Sequence, residues 1–199
     1  MLVGERMSKP VISIQPDTTI NEAFNILRKK NIRRLPVLSK QGKLIGIVSE
    51  QDLINASPSP ATTLSIWEMN SLLEKIKVED VMTKKVLTVD VSTPIEQAAK
   101  IMADNKIGGM PVMENDQVAG MITETDLFKM FLEMLGARME GVRVTAIIPD
   151  VKGELANLSM AIFKAGGNFI SFGQFDSDIP DHVEITFKIS GISSDEVEK

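Results

Sequence analysis

Apolar positions along the chain change period in the same way twice. Ile20, Ala23, Phe24 and Leu27 stand at i, i+3, i+4 and i+7, as do Ile95, Ala98, Ala99 and Met102. That spacing predicts an amphipathic helix at each place. Short β-branched runs, Val11–Ile14 and Val86–Val89, precede the helices and predict strands. Two further strands follow each helix: Leu35–Leu38 with Leu44–Val48, and Met110–Met113 with Val118–Ile122. The polar stretches Ser39–Lys43 and Glu114–Gln117 supply the turns between them. Thr18 and Ser92 are the expected N-caps. Asn31 and Asn105 stand near the helix ends, where asparagine tolerates the left-handed conformation. A second helix is predicted after Ser49 and after Thr123, so the order β-α-β-β-α occurs twice.

The two strings are copies. Met82 lies 75 residues after Met7, and the same offset pairs Lys9 with Lys84, Ile20 with Ile95, Ala23 with Ala98, Ile32 with Ile107 and Pro36 with Pro111. A one-residue deletion after Leu38 or Met113 shifts the offset to 74, which pairs Gly46, Glu50, Asp52 and Leu53 with Gly120, Glu124, Asp126 and Leu127. A unit of about 50 residues buries too little surface to be secure alone. The copies are therefore expected to pack against each other, in a mixed α/β fold. The chain divides as residues 1–56 (first copy), 57–77 (linker), 78–137 (second copy) and 138–199 (a further unit). Within the linker, Asn55–Pro60 is a Ser/Pro break. Thr62–Lys75 reads as a connecting helix, with the lone Trp67 as a packing residue.

Composition narrows the partners. A net charge of −5 lacks the basic stripe of a nucleic-acid surface and has the wrong sign for anionic lipid. No apolar run is long enough to cross a bilayer, and Met1–Pro10 lacks the apolar stretch of a signal peptide. Without cysteine there is no disulfide, thiol nucleophile or thiolate metal site. A cytoplasmic protein is expected. His182, the only histidine, has no evident nucleophile beside it, so catalysis is not expected. Asp176, Asp178 and Asp181 near it read as a solvated turn rather than a metal site.

Two motifs carry chemistry. Ser49-x-x-Asp52 and Thr123-x-x-Asp126 end an apolar strand and open a helix. Each reads equally as a capping box or as a ligand site, in which hydroxyl and helix start attract phosphate and the aspartate accepts from ribose. Arg33 and Arg34 could grip phosphate bidentately or be solvated charge. Their counterparts, Gly108 and Gly109, permit close backbone approach but bring no charge.

The runs I-R-R-L-P-V (32–37) and G-I-V-S-E-Q-D (46–52), with I-G-G-M-P-V (107–112) and G-M-I-T-E-T-D (120–126), resemble tandem CBS domains, a pair called a Bateman module. The resemblance implies two pseudo-symmetric clefts that bind AMP, ADP, ATP or S-adenosylmethionine as a regulatory ligand, with no required cofactor and no metal. It also implies how each cleft is built: the first strand and pre-L-P-V loop of one copy meet the Ser/Thr-x-x-Asp of the other. One cleft then holds Ile14, Ile32, Arg33, Arg34, Thr123 and Asp126, with Pro36 of the L-P-V strand. Its arginines mark it as the one preferring a phosphorylated adenosine. The other holds Val89, Ile107, Gly108, Gly109, Ser49 and Asp52 and is expected to bind weakly or to take a less anionic ligand.

After Gly136 the pattern becomes strand Val142–Ile148, a helix through Leu155, Leu158, Ile162 and Phe163 closing at Gly166-Gly167, and strands Phe169–Phe175 and Val183–Ile189. With V-T-A-I-I-P-D-V-K-G-E-L-A (144–156) and A-G-G-N-F-I (165–170), this β-α-β-β order resembles an ACT domain. That likeness implies a ferredoxin-like fold and an amino-acid effector near Asp150–Leu155. Ser193–Lys199 is too short for the last helix and strand, so the unit is expected to be partial. The domain order resembles the acetoin-utilization accessory proteins of bacteria. The reading is of a non-enzymatic sensor, expected to be a homodimer acting on a separate target protein. A scaffold with vestigial clefts is the alternative.

Overall fold

The computed structural model describes residues 1–57 and 75–197. The linker helix expected over Thr62–Lys75, with Trp67, lies outside the described residues except for Lys75. The chain divides into two compact units, Met1–Leu127 and Phe128 onward. In chain order the elements of the first are α1 (Val3–Arg6), α2 (Ile20–Lys30), β1 (Arg34–Leu38), β2 (Leu44–Ser49), α3 (Glu50–Ala56), α4 (Val78–Val81), β3 (Val89–Asp90), α5 (Ile95–Asn105), β4 (Gly109–Glu114) and β5 (Gln117–Thr123). Helix α6 (Glu124–Met134) crosses the division. The sequence places the boundary at 138, where the period changes; the division lies at 127/128, within α6. The second unit continues with β6 (Val142–Pro149), α7 (Glu154–Lys164), β7 (Asn168–Asp176), β8 (His182–Ser190) and α8 (Ser194–Val197).

Within the first unit the helical stripe is buried as its spacing requires. Ile20, Ala23 and Leu27 of α2 join Ile14, Leu35, Val37, Val48 and Leu53 in one core. Ile95, Ala98 and Met102 of α5 are buried likewise, as are Met110, Val112 and Ile122. Strands β1 and β2 pair antiparallel from Arg34↔Ser49 to Leu38↔Leu44, with an irregularity at Val37/Leu38. Strands β4 and β5 repeat this from Gly109↔Thr123, with the irregularity at the equivalent Val112/Met113.

Each copy lends its opening segment to the other. Val3 N–H donates to the Thr93 carbonyl and Gly4 N–H to that of Val91, while 75 residues on Val78 N–H donates to Thr18 and Glu79 N–H to Pro16. Val78 is buried within the core of the first copy. Past these turns Ser8 bridges Met121, and Thr83 bridges Ile47. The exchange makes the pair interlocked rather than merely juxtaposed.

Several local expectations shift. Val11–Ile14 forms no strand; only Ile14 bridges Val37. Its counterpart, Val86–Val89, shortens to Val89–Asp90, paired parallel with Val112 and Met113. β-Branched composition favours extended backbone, but a strand also needs a partner edge, and β1 and β4 meet only the end of each run. The N-cap of α2 is Thr19 rather than Thr18, with Glu22 completing its capping box. That of α5 is Pro94 rather than Ser92 and makes no side-chain cap bond. Ser92 is engaged instead with Asp90. Asn31 is left-handed as expected (φ 51), but in the second copy that conformation falls on Lys106 (φ 53), and Asn105 is still helical.

The second unit has the β-α-β-β order, with antiparallel strands arranged β6-β8-β7. Ile162 of α7 packs on Ile185, Phe187 and Ile189, flanked by Val144, Ala146 and Leu158. Gly153 (φ +94) and Gly166 (φ +85) bracket the helix in conformations that favour glycine. This sheet fits an ACT-like part. Only the single turn α8 follows β8 among the described residues.

Candidate functional site

The interlocked copies enclose a cavity of about 260 Å³. Five residues expected from the sequence line it: Arg34, Ser49, Asp52, Ile107 and Gly109. Five others were not foreseen: Ile47, Thr83, Val86, Leu87 and Lys106. Ile47 and Thr83 are the partners of one inter-copy bridge, their N–H groups donating to each other's carbonyls at 3.0 and 2.9 Å. Apolar walls from Ile47, Val86, Leu87 and Ile107 thus face a polar end built from both copies.

The Ser49 motif serves as cap and acceptor together. Asp52 N–H donates to Ser49 Oγ at 3.2 Å, while Ser49 N–H and Oγ donate to Asp52 Oδ2 at 2.8 and 2.7 Å. The cap thereby uses one carboxylate oxygen, Oδ2, and leaves Oδ1 for a further donor. Thr123 and Asp126 make the same box, with Thr123 Oγ1 2.7 Å from Asp126 Oδ2. There, however, Ser8 Oγ already donates to Asp126 Oδ1 at 3.3 Å.

Arg34, expected beside Thr123 and Asp126, also reaches the other motif. Its half-buried side chain lines the Ser49–Asp52 cavity and donates from Nη1 to the Gly108 carbonyl at 3.0 Å. Gly108 is what allows this: an added Cβ would stand 2.5 Å from Arg34 Nη2 and 2.6 Å from Glu124 Oε2. The glycine admits a neighbour's guanidinium. Burial holds Arg34 below its ordinary value and the Arg33 charge adds to this, with Glu124 and Asp52 acting in the opposite sense. A guanidinium nonetheless stays charged. Lys106 brings a second cation, so the cleft expected to lack charge has two. The 75-residue offset places Lys106 opposite Asn31, and that substitution was the available signal.

The remaining expected residues do not line this cavity, and of these Ile14, Ile32, Arg33 and Pro36 were expected in the cleft of Thr123 and Asp126. Ile14 and Val89 are buried, the former in the first copy's core. Val86 and Leu87, a few residues before Val89, take the lining role. Pro36 is buried in β1 opposite Ile47. Ile32 packs against the core, and Arg33 is exposed, its Nη2 donating to Thr125 Oγ1 at 3.4 Å. In the second unit His182 Nδ1 lies 2.8 Å from the Pro180 carbonyl. Among the described residues no cluster of three or more His, Asp or Glu is placed to hold a metal ion. No helix among them is long and apolar enough to cross a membrane.

The sequence profile described as CBS domain matches residues 3–59 and 78–133. A CBS domain-containing protein of Dictyostelium discoideum is 33% identical over 136 residues, which are 68% of this chain and 94% of that protein. Among solved structures, the CBS domain pair of protein MJ0100 in complex with 5'-methylthioadenosine and S-adenosyl-L-methionine is 31% identical with a TM-score of 0.56, covering 69% of this chain and 98% of that one. CBSX2 in complex with AMP is 29% identical with a TM-score of 0.57, covering 67% and 97%. A putative acetoin utilization protein (AcuB) from Vibrio cholerae is 27% identical with a TM-score of 0.58, covering 71% and 98%.

Proposed function

This chain belongs to the CBS domain family, carrying two copies in tandem, and we propose that it is a regulatory sensor that takes an adenosine nucleotide in the cleft of Ser49 and Asp52. The observation that carries this reading is the pairing, in one cavity, of apolar walls with an available carboxylate oxygen and two cations. Adenine would lie among Val86, Leu87, Ile107 and Ile47. The ribose hydroxyls would donate to Asp52 Oδ1, and phosphate would meet Arg34 and Lys106. The adenosine ligands of the MJ0100 pair and of CBSX2 support the ligand class. Because both copies line the cavity, a ligand there favours whichever arrangement of the two fits it better, and that differential affinity is what regulation requires.

The Thr123–Asp126 cleft is the weaker site in this reading, since Ser8 already engages Asp126 and Arg34 serves the other cleft. The proposal extends to a cytoplasmic homodimer acting on a separate target protein, and to an amino-acid effector near Asp150–Leu155 of the ACT-like part. The likeness to the Vibrio cholerae protein supports an accessory role in acetoin utilization.

Calorimetric titration with AMP, ATP, S-adenosylmethionine and 5'-methylthioadenosine tests the site. Asp52→Asn keeps a cap acceptor but weakens every adenosine ligand by about tenfold or more, as expected for a hydrogen bond to a charged group. Lys106→Gln weakens AMP and ATP while sparing 5'-methylthioadenosine, which has no phosphate. Unchanged affinity in Asp52→Asn, or no binding by any of the four, overturns the assignment and leaves the scaffold role.

A further inference from the structure

The C-terminal unit carries a second hollow that the reading above does not use. Alternation along β6 and β8 sends Val144, Ile185, Phe187 and Ile189 into the core beneath Ile162. It sends Arg143, Thr186 and Lys188 to the opposite face, where a cavity of about 180 Å³ opens beside Ser171 and against Leu135 and Ala137. Arg143 and Lys188 are direct cross-strand partners, and Ser171 faces Lys188 from the other side. Like charges directly opposite in an antiparallel pair repel and destabilise it. No carboxylate lines the cavity to offset them. Lys188 Nζ donates to the carbonyls of Gly136 (3.2 Å) and Met139, leaving one of its three donors. The Arg143 guanidinium has no hydrogen-bond or ion-pair partner among the described residues.

A sheet face that sets two cations side by side over a walled hollow, with donors to spare, is built for an anion. We propose that this hollow binds a small organic acid without an amino group, its carboxylate held by Arg143, Lys188 and the Ser171 hydroxyl and its short apolar tail against Leu135 and Ala137. Size limits the ligand, because the cavity is below the roughly 300 Å³ at which drug-sized sites begin. The apolar wall favours a carboxylate with a hydrocarbon tail over inorganic phosphate. An α-ammonium group would face two cations with no acid to receive it, which separates this site from an amino-acid site.

Titration calorimetry of the full chain with 4-methylpentanoate, leucine and inorganic phosphate tests the proposal, since the first two differ only by the amino group. 4-Methylpentanoate is expected to bind at least tenfold more tightly than either of the others. Arg143→Gln, at an exposed position, is expected to weaken that binding at least tenfold while raising the melting temperature of the unliganded chain. Asp52→Asn leaves it unchanged, which keeps this result independent of the adenosine cleft. The proposal is overturned by absent binding of 4-methylpentanoate, by equal or tighter binding of leucine or phosphate, by unchanged affinity in Arg143→Gln, or by a lower melting temperature of that variant without ligand.

Discussion

Gly46 and Gly120 occupy equivalent places in the two copies, yet alanine should cost far more at the second. A Cβ at Gly120 would stand 2.7 Å from Met7 Sδ and 2.8 Å from the Ser8 carbonyl oxygen. At Gly46 the nearest atoms all belong to the Met82 side chain: Sδ, Cγ at 2.9 Å and Cε at 3.2 Å. A thioether can swing aside. The Ser8 carbonyl cannot, because it accepts from Met121 N–H at 3.0 Å while Ser8 N–H donates to the Met121 carbonyl at 2.8 Å. Relieving a carbon–oxygen contact to about 3.3 Å requires the Ser8 backbone to withdraw by roughly 0.5 Å. That stretch takes the Met121 bond beyond useful hydrogen-bond length. Overpacking strain of about 1–3 kcal/mol and the loss of one or two bonds worth about 1 kcal/mol each are offset by about 0.4–1 kcal/mol from a stiffer unfolded chain. Gly120→Ala should therefore destabilise by about 2–3 kcal/mol, and Gly46→Ala by less than about 1 kcal/mol. Urea unfolding followed by circular dichroism reads the difference. Native-state amide exchange localises it: the Met121 and Ser8 amides should exchange about 30-fold faster in Gly120→Ala, since 1.4 kcal/mol is a factor of ten. Equal losses at the two glycines, or unchanged exchange at Met121, would refute the backbone-clash reasoning.

Two further outcomes follow from burial and capping. Leu53 is fully buried while its counterpart Leu127 is only half-buried, so Leu53→Ala should cost about 2–5 kcal/mol and Leu127→Ala distinctly less; urea midpoints that fall together would contradict this. The Thr19 N–H and hydroxyl donate to the Glu22 carboxylate at 2.9 and 2.8 Å, and these bonds, backbone first, hold its pKa below the usual range, with Lys77 adding a little. A lowered folded value means the stabilisation is complete above the unfolded pKa and is lost as pH falls through the folded one. An NMR titration should accordingly place the Glu22 midpoint lower in the wild-type chain than in Thr19→Ala, and coincident midpoints would show that the cap does not act on it.

Periodicity made the helices legible, because a buried stripe at 3.6-residue spacing has few other uses: Ile20, Ala23 and Leu27 are buried as their spacing predicts. The paired strands were equally plain, since the L-P-V and G-I-V runs must both turn apolar faces inward. The leading strands were not legible, because hydrogen-bonded pairing depends on a partner edge that local composition does not encode. Nor was the exchange of opening segments, which leaves no trace in spacing: Val3 and Val78 look like ordinary turn residues until each is found packed on the other copy. The offset frame did carry one unused clue there, since it aligns Met7 with Met82 opposite two glycines that have no room for a Cβ.

The site shows the same division between what side chains announce and what their direction decides. Arg33-Arg34 against Gly108-Gly109 is a real asymmetry of the sequence, but charge acts where the guanidinium ends, not where its Cα sits. Arg34 reaches across to the Gly108 carbonyl through space beside that glycine which a Cβ would partly fill. The missing charge at 108 is thus what lets charge from 34 arrive. Lys106 then adds to it from a left-handed helix end that its counterpart Asn31 also adopts. Ser8 closes off the spare oxygen of Asp126, and Thr83, its equivalent, lines the cavity beside Asp52. Four small departures from the pseudo-symmetry, at residues 8/83, 31/106, 33/108 and 34/109, therefore act in one direction. Together they concentrate cationic and acceptor groups in the Ser49–Asp52 cleft, and for that reason the nucleotide is assigned there rather than shared between two equivalent sites.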